Sequence, residues 1–452
     1  MTSPARVASY HALRAITTNR SDLPAALAES RLRLIDERDR GLAAEIVTGT
    51  LRWQRHLDHV IARTASTPLS KLDPEVLTIL RLSAYQLLHL DRVPASAVVD
   101  DAVSLTRTAR KPSASGFVNA VLRSTLRQRQ TLAFPAKPAD PDDRAAAIAY
   151  LGITHSHPDW LVARWLDRYG LDAAEQWVRF NNQVPALVLR ANRLRLTREA
   201  LAEGLAADDI QTEPTRYAPD GLVVTRGNPL RGPADGAFFV QDEASQLVPL
   251  AVGARPGERV LDLCASPGGK TTAMAADMRN EGSLVACDVR PKRIDLLRQT
   301  VRVSGATCVD IVHIPAAGPL PFGGAFDRVL VDAPCSGIGT VRRDPDIRWR
   351  RTEGDLAGLA GEQLSLLARA ADLVAPGGRL VYATCSSEPE ENEGVVDAFC
   401  RSRPDFDPLD LRATTPGIQP VLLDARGMLR TLPSAHGLEA FFAAALVRVQ
   451  QR

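Results

Sequence analysis

"VLDLCASPGGKTTAMAADM", residues 260–278, passes from an apolar run into a turn of Ser266, Pro267, Gly268 and Gly269, then into a helical pattern beginning near Lys270. A strand, a glycine-bearing turn and a helix in that order set free backbone N–H groups and a helix N-terminus around a bound ligand. A Walker A phosphate loop needs glycine six residues before its lysine; Cys264 stands there, although Gly269-Lys270-Thr271 fits. A nucleoside-type cofactor lying over the turn fits better, because "SLVACD" ends the next strand on Asp288, an acid placed to hold a ribose. Plain turn geometry is the third reading. Outward from this stretch, from about Gly257, short apolar strands ("RVLDLC", "SLVACD", "VDIVHI", "RVLVDA", "RLVYAT") alternate with helical stretches such as "PKRIDLLRQTVRVSG". That alternation predicts an α/β fold with a doubly wound, mostly parallel sheet, whose ligands sit outside the carboxyl ends of the strands.

Two of those ends carry a cysteine. "RVLVDAPCSGIGTVRRDPDIRW" (328–349) runs from a strand into Asp332, Pro334, Cys335 and a basic loop with Arg342 and Arg343, and "RLVYATCSSEPEEN" (379–392) stops at Cys385. A thiolate is a strong nucleophile, and C6 of a pyrimidine is a carbon it usefully attacks, since addition there makes C5 electron-rich and able to take a methyl group from a sulfonium cofactor. Asp332 is placed to hydrogen-bond or protonate the cytosine N3, a general-acid role. A second cysteine helps the adduct come apart. Which cysteine does which is left open by the residues themselves. The remaining four, Cys264, Cys287, Cys308 and Cys400, read as small buried apolar side chains. Ser387 and Glu390 have the spacing of a capping box, which predicts a helix start just behind Cys385.

The 452 residues exceed what one core serves, and a prior of about 150 residues per domain suggests three domains. An apolar fraction of 45% and a charged fraction of 24% are ordinary for a globular chain, and no apolar run approaches the roughly 18 residues of a membrane span. The opening "MTSPARVASYHALRAITTNR" has no signal-peptide core, so a cytoplasmic protein with reduced thiols is expected. Without a CxxC pair or clustered histidines, no metal is expected.

The net charge of +2 hides an asymmetry: residues 1–134 hold 19 Lys and Arg against 12 Asp and Glu, a local +7. Much of it falls in "LTRTARKPSASGFVNAVLRSTLRQRQ", where Arg107, Arg110, Lys111, Arg123, Arg127 and Arg129 suggest phosphate contacts, with a solvated helix face as the plain alternative; Arg342 and Arg343 of the later basic loop are further candidates for RNA contact. "DPEVLTILRLSAYQLLHL" sets Val76, Leu77, Leu80, Leu87 and Leu88 near one stripe after an Asp73–Pro74 start, so an all-helical domain is predicted over 1–130. The proline-rich "LAFPAKPADPDD" makes 131–147 a linker. Residues 148–235, with the helix "HPDWLVARWLDRYG" and the strands "ALVLRAN" and "GLVVT", form a small α+β middle domain before the large one at 236–452.

"DAPCSGIGTVRRDPDIRW" with "ATCSSEPEEN", preceded by "QDEAS" (241–245) and "LDLCASPGGKT", resembles the RNA cytosine-5 methyltransferases of the Sun/RsmB (Fmu) type. "GFVNAVLR" (116–123) is similar to the NusB-like RNA-binding module, and "HSHPDWL" resembles the start of the family's middle domain. The resemblance spans nearly the whole chain. It implies a Rossmann-like class I methyltransferase domain, preceded by an all-α NusB-like domain and the small middle domain. It implies S-adenosyl-L-methionine as cofactor and a cytosine of small-subunit (16S) ribosomal RNA as substrate, in a cytoplasmic monomer without membrane or metal partners. It also separates the cysteines: Cys385 of "TCS" is then the nucleophile, and Cys335 of "PCS" promotes product release. Asp332 contacts base and cofactor, Lys270 sits near the reacting base, and Asp288 holds the ribose with Arg293 nearby. Cys264, Ala265, Ser266, Pro267, Gly268 and Gly269 wrap the methionine end.

Two departures stand out. Where the family has an acid after the third strand for the adenine amino group, this chain has Ile314, Pro315 and Ala316; the terminal "DGFF" appears as "EAFF" (439–442), where only a final strand pair is expected. The rival readings are a P-loop-like NTPase, which leaves Cys385 unexplained, and a catalytically silent RNA-binding or assembly factor. The target nucleotide is not legible, because flipped and single-stranded bases are read by pocket shape and stacking.

Overall fold

The computed structural model describes residues 2–232 and 235–449. The chain divides into two compact units, Met1–Val184 with Val341–Glu353 and Pro185–Thr340 with Gly354–Arg452.

The first unit is helical. The helix Pro74–His89 begins on Pro74, whose fixed φ and missing N–H cost nothing in a first turn. Val76, Ile79, Leu80, Leu82, Ala84 and Leu87 are buried along it, while Leu77 and Leu88 stay half-buried. The apolar surface is thus wider than one stripe, as befits a helix packed on several sides. The helices Pro4–Thr17, Glu37–Arg52, Gln54–Thr64, Ala95–Thr108 and Ser115–Gln128 surround it through one continuous core. Glu37–Arg52 approaches closely enough that a Cβ on Gly49 would overlap the Tyr85 ring. A long helix, Asp159–Asn182, bends at Gly170, whose φ of 77° a side chain rarely adopts.

The segment Val341–Glu353 completes this unit from far along the chain. Arg348 is fully buried and donates to the carbonyls of Arg52 (3.3 Å), Ser156 (2.9 Å) and Asn181 (3.3 Å) and to Asn182 Oδ1 (3.1 Å). Trp349 Nε1 donates to the Leu51 carbonyl at 2.6 Å. A guanidinium presents five donors in a planar fork, which suits a cage of carbonyls at helix ends.

The second unit holds two sheets. In the smaller, strands β1 (Val188–Ala191), β2 (Gln211–Pro214), β3 (Gly221–Arg226) and β4 (Phe238–Val240) lie antiparallel in the order β2-β3-β1-β4. Leu189, Ala191 and Leu222 pack there against Leu201 and Leu205 of the helix Arg198–Ala207. The larger contains β5 (Arg259–Asp262), β6 (Ser283–Asp288), β7 (Val309–His313), β8 (Phe326–Asp332), β9 (Val374–Thr384), β10 (Phe406–Leu409), β11 (Leu429–Arg430) and β12 (Phe442–Arg448). Its order is β10-β12-β9-β8-β5-β6-β7, with β11 on β12; β5 to β9 run parallel and β12 antiparallel to its neighbours.

Helices cover both faces of this sheet, so its central strands are apolar throughout rather than alternating. Leu330, Val381 and Ala383 belong to the core on one face, and Val329, Val331, Leu380 and Tyr382 to the core on the other. The strand order reverses between β5 and β8, the point at whose carboxyl ends open α/β sheets bind their ligands. Behind β9 the chain departs from the capping-box expectation. A single 3-10 turn, Pro389–Glu391, comes first, and the helix runs over Glu393–Ser402 with Asn392 at its cap position. Ser387 instead donates to the carboxylate of Glu388, and Pro389 sets the turn.

Candidate active site

The turn after β5 is held from both neighbouring strands. Leu263 N donates to the Leu330 carbonyl (2.9 Å) and Ala265 N to the Cys287 carbonyl (2.8 Å). Gly268, at φ 105°, caps the helix Gly269–Asp277; a Cβ there would also press on Leu297. Ser266 Oγ donates to the Arg293 carbonyl at 3.0 Å. At the end of β6, Asp288 is buried, accepts from Arg290 N at 2.9 Å, and lies 3.7 Å from the Arg293 guanidinium. The residues Cys264–Lys270, Asp288 and Arg293 therefore converge on one carboxyl edge. Ile314, where the adenine acid is missing, is buried and donates its N–H to the Asp288 carbonyl at 3.2 Å.

At the reversal point Lys270 Nζ meets Asp332 Oδ2 at 2.6 Å. Burial pushes the Lys270 pKa down, but the Asp332 charge and hydrogen bond outweigh it, with Cys385 adding, so the ammonium sits above its ordinary value. The Phe441 ring centroid is 5.7 Å from Nζ. Asp332 pairs in register with Ala383 on β9, which brings the two loops beyond them together: Cys335 Sγ and Cys385 Sγ are 3.2 Å apart. The hydrogen bond with Cys385, then burial, then nearby negative charge hold the Cys335 thiol well above its usual pKa. Burial likewise raises Cys264, Cys287, Cys308 and Cys400; only Cys287 of these four is buried, while Cys264, Cys308 and Cys400 are half-buried, short of the fully buried positions expected of them.

Several residues here carry no motif of their own. Asp262, ending β5, accepts from Thr271 Oγ1 at 2.7 Å, has a pKa raised by burial to about 7, and its Oδ1 is buried with no hydrogen-bond partner among the described residues. Such an orphaned acceptor beside an open turn fits a bound polar ligand, and a strand-end Asp facing the Gly-rich turn was the available signal. Arg190 of β1 is buried and donates to the Gly269 carbonyl (2.7 Å) and Thr272 Oγ1 (2.8 Å), tying the smaller sheet to the first turn of that helix. Glu391 and Gln363 lie beneath the cysteine loops, and nothing in their spacing announced them.

The basic residues singled out from sequence divide. Arg107, Arg110, Arg123, Arg127 and Arg129 are exposed, whereas Lys111 is half-buried and paired with Asp73 at 2.9 Å. Arg342 and Arg343 are half-buried, Arg342 lying 4.0 Å from the Phe180 ring centroid. Among the described residues no group of three or more His, Cys, Asp or Glu could hold a metal ion, and no helix is long and apolar enough to cross a membrane.

The second unit, with its mostly parallel sheet and glycine-bearing turn after β5, has a methyltransferase-like α/β fold. Residues 249–447 match the family described as 16S rRNA methyltransferase RsmB/F, residues 3–127 the NusB family, and residues 157–231 the RsmF/B-like ferredoxin-like domain. "Probable ribosomal RNA small subunit methyltransferase B" of Bacillus subtilis is 36% identical over 90% of each chain, and ribosomal RNA small subunit methyltransferase B of Pseudomonas putida is 34% identical over 98% of each. A solved structure titled "Crystal Structure of PH0851" is 26% identical and covers 99% of each chain at a TM-score of 0.80. The chain belongs to the RsmB/F family of ribosomal RNA methyltransferases.

Proposed function

We propose that the protein transfers a methyl group from S-adenosylmethionine to C5 of a cytosine in small-subunit ribosomal RNA, through a bond between Cys385 and C6 of the base. The observation that carries this reading is the 3.2 Å approach of Cys335 and Cys385 at the tips of β8 and β9, beside the Lys270–Asp332 pair. An NTPase has no use for two thiols there, and a silent assembly factor has no use for keeping them in contact. The relatives named for ribosomal RNA small subunit methyltransferase B suggest the RNA class.

The turn Cys264–Gly269, Asp288 and Arg293 would hold the cofactor, with the unpartnered Oδ1 of Asp262 as a further acceptor. When bound, S-adenosylmethionine supplies an electrophilic methyl group. Cys385 attacks C6 as the thiolate, whose negative charge the Lys270 ammonium stabilises; as electron density moves into the ring, a proton passes from Lys270 through Asp332 to N3. After C5 is methylated, water takes the C5 proton, N3 returns its proton through Asp332, and the C5=C6 bond re-forms as the C6–S bond breaks with its electron pair on sulfur. Cys335, in contact with Cys385 and held as a thiol, promotes that departure by hydrogen-bonding the sulfur that leaves.

The test is a denaturing gel of protein with unmodified ribosomal RNA fragment and cofactor. Cys385→Ala forms no covalent complex, because C6 is never attacked. Cys335→Ala attacks and methylates, then stalls as a protein–RNA adduct. An adduct with Cys385→Ala and none with Cys335→Ala reverses the roles; no adduct with either, while wild type methylates, removes the covalent mechanism.

A further inference from the structure

Beneath the two thiols lies a carboxylate that the proposed chemistry does not use. Glu391 is fully buried. Its Oε1 accepts from the backbone N–H of Ser336 at 2.7 Å and from Gln363 Nε2 at 2.9 Å, and its Oε2 accepts from Ser386 Oγ at 2.5 Å. Ser336 follows Cys335 and Ser386 follows Cys385, so one side chain grips both cysteine loops one residue beyond each thiol. Around it, the hydroxyls of Ser336 and Ser386 are 3.2 Å apart, and Gln363 Nε2 also donates to the Pro334 carbonyl at 3.0 Å. Tyr382 OH reaches both Gln363 Oε1 (3.0 Å) and the Glu391 carbonyl (2.5 Å). The next residue, Asn392, brackets Cys385, accepting from Thr384 Oγ1 at 2.6 Å and donating to the Ser386 carbonyl at 3.0 Å.

A carboxylate this deep, whose donors are a backbone amide, a side-chain amide and a hydroxyl, is costly to place where an apolar side chain would pack. A fully bonded polar cluster in low dielectric is rigid, and it fixes whatever is attached to it. We propose that Glu391 is a positioning residue that couples the Cys335 loop to the Cys385 loop and so sets the distance between their sulfurs. The inference rests on the two-cysteine reading for its catalytic consequence, though not for its geometry. Its charge also adds to the Cys385 contact and burial in keeping Cys335 protonated.

The geometry is tested without RNA. Diamide accepts the two hydrogens of a thiol pair and leaves a disulfide, so its rate of forming the Cys335–Cys385 bond, followed by peptide mass spectrometry, reports how often the sulfurs meet. Glu391→Ala slows that rate by about 10-fold or more, because losing a fixed position by even an ångström is costly to a reaction. Glu391→Gln stays within about 2-fold of wild type, since its amide oxygen still accepts from Ser336 and Gln363 and its NH2 donates to Ser386 Oγ. Both variants lose the charge, so the difference between them reads position alone. Ser386→Ala, which removes one leg, gives an intermediate rate and serves where Glu391→Ala fails to fold. With RNA, Glu391→Ala accumulates adduct at unchanged cofactor KM. Equal oxidation rates in wild type, Glu391→Ala and Ser386→Ala overturn the inference and leave the methyltransferase reading standing. A slowed rate with no separation of the two cysteine variants on gels retains the clamp and overturns that reading.

Discussion

The carboxyl edge of the large sheet and the basic surface of the helical unit handle charge in opposite ways. At the edge, Lys270, Asp332, Asp262 and Glu391 are held by short bonds to one another or to loop atoms, largely out of water. On the helical unit, Arg107, Arg110, Arg123, Arg127 and Arg129 stand in solvent. Buried charges act at low effective dielectric through fixed geometry, so one substitution changes the whole arrangement. Exposed charges are screened within about 10 Å at ordinary salt and act by their sum. The lesson is that effects at the edge are steep and specific, and effects on the basic surface are shallow and additive.

The steepest departure is expected at Lys270. Lys270→Ala leaves Asp332 without its cation and removes a positive charge that interacts with Cys385, so under the proposed mechanism single-turnover methylation falls by about 10²- to 10⁴-fold. Comparable turnover in wild type and variant would mean that the pair is structural. Arg348 tests whether the contrast belongs to burial or to the choice of unit, because it is a fully buried cation in the helical one. Arg348→Met strands three carbonyls and an amide oxygen, and denaturant unfolding is expected to show a loss of about 3–5 kcal/mol. A loss under about 1 kcal/mol would show that water replaces the guanidinium at little cost.

Acid separates the regions again. Burial lowers His56, His89 and His155 of the helical unit to about 4, so the unfolded chain binds protons between about 6.5 and 4 that the folded unit refuses. Their contribution to stability is therefore complete above 6.5 and is lost as pH falls towards 4. Asp262 runs the other way: with its pKa raised to about 7, the folded state holds a proton the unfolded state has released, and its contribution falls as pH rises from about 4 to 7. Hydrogen exchange, corrected for intrinsic rates, should show the helices Gln54–Thr64 and Pro74–His89 losing protection between pH 7 and pH 5, an effect diminished by His89→Phe. In Asp262→Asn, protection of β5 should lose its dependence on pH over the same interval. Protection falling equally in both regions would erase the contrast.

What could be read from the sequence follows the same division. Strand–helix alternation revealed the sheet, because parallel strands covered on both faces are written as continuous apolar runs such as Val329–Val331. Cys335, Cys385, Asp332 and Lys270 were visible because each ends a strand or a glycine turn, and register then fixed their meeting. The cluster on Glu391 was not: its partners lie at 336, 363, 382 and 386, and no periodicity links positions joined only by folding. Nor was the role of Val341–Glu353. In a linear reading Arg342 and Arg343 are a basic loop, yet the segment packs into the helical unit, with Arg342 over Phe180. The capping-box spacing at Ser387 misled because Pro389 and the bonds of Glu391 and Asn392 claim that stretch first.

The smallest expected effect is the one that most directly tests additivity on the basic surface. Arg123 is exposed, with Nε bonded only locally to Asn119 Oδ1 at 3.0 Å, so Arg123→Ala leaves the fold unchanged and removes one positive charge. If that arginine meets a phosphate, the log–log slope of RNA affinity against salt becomes shallower by about 0.7–0.9, with a several-fold loss of affinity at low salt that shrinks as salt rises. Adding Arg127→Ala should repeat the same decrement, because screened charges contribute independently. Lys111→Ala should give a smaller one, since Asp73 already neutralises that ammonium at 2.9 Å. Filter binding across a salt series measures all three. Identical slopes in every variant would return these arginines to the solvent, and a collapse of affinity from a single substitution would show that the basic surface, like the sheet edge, works by fixed geometry.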